Sequence, residues 1–140
     1  ENVPSVRVLA EYTNNTYQPS MIHQMEIMVL TRLSWSLTVV TPLHFLGLYI
    51  EKGMIFTTDT MQGVPLIPKV PRYVKKYVEF FADLTLQEYA FQRYLPSKLA
   101  AAIVAASRRA LSIRPLWNKA LTELVGYSQL DIADVFTHVW

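Results

Sequence analysis

The side chains with chemistry to offer are few and scattered. His23, His44 and His138 are the only imidazoles, and none stands at metal-ligand spacing with another His or a carboxylate. Cysteine is absent, which removes disulfides and thiolate metal sites and fits a reducing compartment. There is no Gly-rich phosphate loop and no nucleophile–base motif. No catalytic residue, metal ligand or cofactor site is therefore expected, and an enzyme has no support. Lys69, Arg72, Lys75 and Lys76 make a basic stripe, but Glu79 and Asp83 follow on the same helical segment, so a solvated face is the better reading. Arg108, Arg109 and Arg114 lie near a helix C-terminus, where the helix dipole accounts for them. One carboxylate stands apart: Glu26 shares a helical sector with Ile27 and Leu30.

The helix that positions Glu26 opens with Pro19 in its first turn and runs to about Leu33. At 100° per residue, Met21, Ile22, Met25, Met28, Val29 and Leu33 fall in an arc roughly 140° wide. Ser20, Gln24 and Thr31 lie opposite. His23, Glu26, Ile27, Leu30 and Ser34 form a third sector in which apolar and polar residues mix. A plain surface helix does not place Ile27 and Leu30 there, so the helix is either buried on two sides or meets a partner.

Other elements follow from local signals. Ser5–Tyr12 reads as a short helix and Thr13–Thr16 as a turn; Asn14-Asn15-Thr16 also matches a glycosylation triplet, with nothing beside it to suggest secretion. Thr41 caps a helix with Pro42 at its first position, reaching about Glu51. Lys52–Pro68, rich in Gly, Pro, Thr and Asp, reads as a long loop. Pro71–Asp83 has a helical period of aromatics and charges, and Leu84–Leu95 bridges to the next helix; the aromatics from Tyr73 to Tyr94 are expected in the core. Asn118 and Gly126 bracket a short helix, and Ser128 with Asp131 resembles a capping box for a last helix with Leu130, Ile132, Val135, Phe136 and Val139 as core candidates. No strand pattern competes, and the chain is expected to be all-α.

Pro96–Leu111 organises these elements. It is an Ala-rich helix, small and apolar on nearly every side, which lets neighbours approach from several directions. Its uncharged run, Leu99–Ser107, is far shorter than the roughly 20 residues of a membrane span. The chain of 140 residues is 51% hydrophobic and 17% charged, which suits one sizeable core or a domain plus part of another. A formal charge of +2 is too small to argue for nucleic acid. The opening at Glu1 rather than Met suggests a fragment or processed product.

Five stretches in order resemble the cyclins. They are Gln24-Met25-Glu26 on a helix ending Leu33-Ser34-Trp35-Ser36-Leu37; Thr41-Pro42 with Phe45-Leu46; Tyr94-Leu95-Pro96-Ser97; Ala100-Ala101-Ala102; and Leu124-Val125-Gly126-Tyr127-Ser128. Leu84–Phe91 with Ala105-Ala106-Ser107-Arg108 is similar to the cyclin J type above the A and B types.

The resemblance implies a cyclin fold: a five-helix bundle around a central helix, with residues 38–140 the C-terminal cyclin box. Residues 1–37 would be the C-terminal remnant of the N-terminal box, whose other helices the full-length chain supplies. It implies a non-catalytic partner of a cyclin-dependent protein kinase, in the nucleus or cytoplasm, binding neither nucleic acid nor membrane. The kinase-docking Lys–Glu pair of the family would put its Glu at Glu26 and its Lys upstream of Glu1, with the surrounding contact surface on Ile27, Leu30, Trp35 and Leu37. The alternatives are a helical adaptor of cyclin fold and a transcription-factor-like protein gripping DNA. Gln129–His138, with two Asp and no Lys or Arg, counts against the second.

Overall fold

The computed structural model describes residues 3–140, which form seven α-helices joined by a small sheet and one 3₁₀ turn. The chain divides into two compact units, Glu1–Val39 and Val40–Trp140, two residues beyond the boundary expected from the sequence.

The first unit holds α1 (Val6–Tyr12) and α2 (Pro19–Arg32), packed on each other. Ser5 caps α1 by accepting from the Val8 N–H. Asn14 and Asn15 make the turn at φ 52° and 57°, a left-handed conformation that Asn tolerates better than most residues. Ala10 is buried, whereas α2 buries no residue at all.

The second unit is built on α5 (Pro96–Ala110), in which every side chain from Leu99 to Arg108 is buried. The alanines keep α5 slim, so α3 (Pro42–Lys52), α4 (Val70–Gln87) and α7 (Ala133–Val139) all pack directly on it. α6 (Lys119–Val125) packs on α3 and contributes Leu121 and Val125 to the same core. Caps end these helices where the residue types predict. The Leu121 N–H donates to Asn118 Oδ1 at 2.8 Å, and Gly126 closes α6 at φ 78°. At Thr41 the partner is unusual: His44 Nδ1 accepts from the Thr41 N–H at 3.1 Å, standing where Glu or Gln completes a capping box. Ser128 and Asp131 are reciprocally bonded, yet they close a turn, and α7 starts only at Ala133.

Other expectations are also corrected. α4 continues past Asp83 to Gln87, because Leu84-Thr85-Leu86-Gln87 contains no breaker and Thr85 still faces the core. The loop after α3 carries β1 (Thr60–Met61) and β2 (Val64–Pro65), joined through Gln62 and Gly63, both at positive φ. β1 also pairs with β3 (Ile113–Arg114); two-residue strands leave no periodicity to read. Leu130 is 86% exposed on its turn, not core. Of the aromatics from Tyr73 to Tyr94, Phe81 and Phe91 enter the core, while Tyr73, Tyr77, Phe80 and Tyr89 remain exposed.

The largest departure concerns Arg108. The helix-dipole reading is replaced by a buried ion pair, with Arg108 Nη1 and Nη2 donating to Asp59 Oδ2 and Oδ1 at 2.7 and 2.8 Å. The same guanidinium donates to the carbonyls of Met54, Pro115 and Leu116. A bidentate pair with its remaining donors filled is the one form in which a buried charge is well tolerated. It ties the loop before α4 to the loop after α5.

Candidate functional site

α2 is a helix without a core of its own. Met21, Met25, Met28, Val29 and Leu33 are all exposed, Met25 to 55%. On one side Tyr17, Met21, Ile22, Met25, Val29 and Leu30 line an open groove of about 530 Å³, and Glu26 stands on its wall. The helix forms because Pro19 presets its first turn and no Gly or Pro interrupts it before Leu33. Its end is fixed by Ser34 and Trp35 at positive φ, with the Trp35 N–H donating to the Leu30 carbonyl at 2.9 Å.

The candidate contact residues are placed as follows. Glu26 is 61% exposed, and its Oε2 lies 3.5 Å from His23 Nδ1 one turn back. That contact is solvated and weak, so the carboxylate is available to a partner. Leu30, one turn on, lines the same groove half-buried. Ile27 is exposed and lies outside that lining. Trp35 and Leu37 follow on the turn and connector after α2, exposed to 66% and 59%. Glu26 and Leu30 are thus brought together, while Ile27, Trp35 and Leu37 are free apolar groups on the same unit. Tyr17 joins the groove although the sequence reading gave it no role; only its position just before the helix could have suggested it.

Chemically this face offers binding groups. Apolar groups supply burial and one carboxylate accepts partner N–H groups, which fixes register. Among the described residues, no group of three or more His, Cys, Asp or Glu side chains could hold a metal ion, and no helix is long and apolar enough to cross a membrane.

Comparison with known proteins bears on both units. The family profile described as "Cyclin, C-terminal domain" matches residues 40–140. The chain is similar to Cyclin-J of Xenopus laevis, 37% identical over 111 residues, covering 78% of this chain and 28% of that protein. It is similar to Cyclin-J-like protein of Mus musculus, 29% identical over 130 residues, covering 91% of this chain and 33% of the relative. It is also similar to G2/mitotic-specific cyclin-1 of Antirrhinum majus, 36% identical over 131 residues, 94% of this chain and 24% of the relative. The chain spans about a third or less of the length of these relatives.

Proposed function

The chain belongs to the cyclin family, near cyclin J, and from that premise we propose that it is part of a regulatory, non-catalytic subunit that binds and activates a cyclin-dependent protein kinase. In this reading residues 1–37 are the end of a first cyclin box, and α2 carries the docking face. Glu26 accepts N–H groups of the kinase, while Ile27, Leu30, Trp35 and Leu37 cover its apolar surface. Activation is then mechanical: the docked face holds the kinase helix that carries half of the active-site ion pair.

The observation that carries this is the exposure of Glu26 on a helix with no buried residue. Leaving so many large apolar side chains in water is unusual unless other surfaces cover them, at about 1.5–3 kcal/mol for each side chain fully buried. The test is co-purification of the full-length protein with a panel of cyclin-dependent kinases, wild type against Glu26→Arg. Reversing a charge at the centre of a docking face is expected to weaken binding at least about tenfold. Unchanged binding removes Glu26 from the contact set.

A further inference from the structure

Arg108 and Arg109 are neighbours with opposite surroundings. Arg108 is wholly buried and its charge is met by Asp59. Arg109 lies on the open surface, its guanidinium 4.6 Å from the Trp140 ring centroid and 5.6 Å from that of Phe136. With Arg114, Ser112, Ile113, Leu116 and Trp140 it lines a cavity of about 400 Å³. No Asp or Glu lines that cavity, and neither Arg109 nor Arg114 forms an ion pair among the described residues. The Ser112 hydroxyl is exposed and has no hydrogen-bond partner among the described residues.

The walls are held in place. Arg109 is oriented by its two rings, a stacking to which a guanidinium is suited. Arg114 sits on β3, paired to Thr60. The residues after it are fixed by Arg108, whose Nη2 donates to the Pro115 carbonyl at 2.8 Å and whose Nε donates to that of Leu116 at 3.1 Å. The buried ion pair therefore braces a cavity carrying two free guanidinium groups and a free hydroxyl.

We propose that this cavity binds the phosphate of a phosphorylated serine or threonine in a partner polypeptide. Two planar guanidinium forks match phosphate oxygens, and the hydroxyl supplies a further donor. Leu116 and the Trp140 ring offer apolar surface to the residues flanking the phosphate. A single phosphate is favoured over a nucleic-acid backbone because the chain carries a formal charge of only +2 and the site holds only two cations. The inference concerns the second unit and is independent of the kinase-docking reading of α2.

The test is a titration of the full-length protein, read at the Trp140 Nε1–H signal in NMR spectra. The probes are a capped Ala-Ala-phosphoserine-Ala-Ala peptide, its unphosphorylated form, inorganic phosphate and a single-stranded oligonucleotide. The phosphopeptide is expected to give a saturable shift, phosphate a weaker one and the serine peptide none. Arg109→Gln and Arg114→Gln are each expected to weaken phosphopeptide binding by about tenfold or more. Arg114 is exposed and makes no cation–π contact among the described residues, so its variant remains decisive if Arg109→Gln disturbs α7. Equal response to both peptides, or phosphopeptide binding that survives Arg114→Gln, overturns the proposal. So does phosphate binding as tightly as the phosphopeptide, which marks an adventitious ion only, and so does preferred binding of the oligonucleotide.

Discussion

α2 and α5 are nearly matched in outline: 14 and 15 residues, each with Pro in its first turn and each apolar over much of its length. Yet α5 buries an unbroken run from Leu99 to Arg108, and no residue of α2 is fully buried. The difference lies in the neighbours: α3, α4 and α7 surround α5, whereas α2 packs on α1 in its own unit. Alanine brings three neighbouring helices close to the α5 backbone, so that the second unit condenses around it. α2 instead carries Met, Ile, Val and Leu, large groups that α1 leaves exposed. Hydrophobic content alone does not tell which helix is enclosed by its neighbours.

The strongest way to break this contrast is to strike the brace of the second unit. Asp59→Ala leaves the Arg108 guanidinium buried without its partner and is expected to cost about 3–5 kcal/mol, read from urea unfolding midpoints. The same measurement on Glu26→Ala is expected to move by no more than about 0.5 kcal/mol, since that side chain is exposed. Overpacking is the next effect. Ala102→Leu, at a position with no exposed surface, is expected to cost ~1–3 kcal/mol and, under the proposed function, to leave kinase choice unaltered. A shift in kinase preference would show that α5 is more than architecture.

The smallest effect is electrostatic. Lys98 Nζ donates to the Asp134 carboxylate, linking α5 to α7, and this holds that carboxyl below its ordinary value of 3.8. A depressed folded-state pKa contributes stability that is present above the unfolded value and lost as pH falls through the folded one. Between about pH 5 and pH 2 the wild type should therefore lose slightly more stability than Asp134→Asn. Because the carboxylate is solvent-exposed, the difference is expected to be small, and parallel pH profiles would remove the pair from the account.

How far the sequence carried depended on the range of the interaction. The Ala run, Thr41-Pro42, Asn118 and Gly126 act within a few residues of themselves, and each was legible. The cyclin family, too, was legible from ordered short matches. The Arg108–Asp59 pair was not, because its partners lie 49 residues apart and one sits in a loop without period. A signal did exist: Arg108 falls seven residues after Ala101 and four after Val104 on a helix with no solvated side there. A charge in that phase needs a buried counter-charge. The exposed tyrosines of α4 were misread for the converse reason, since periodicity marks an apolar stripe without saying whether anything covers it. On α2 the mixed sector pointed to Glu26, Ile27 and Leu30, but the groove needed Tyr17 brought in from the preceding turn.

Amide hydrogen exchange on the monomeric chain Glu1–Trp140 tests the contrast most directly, because it reads both helices at once. The account predicts strong protection for Leu99–Ala110 and weak protection for Met21–Leu33, none of whose side chains is fully buried. Comparable protection of the two segments would contradict it.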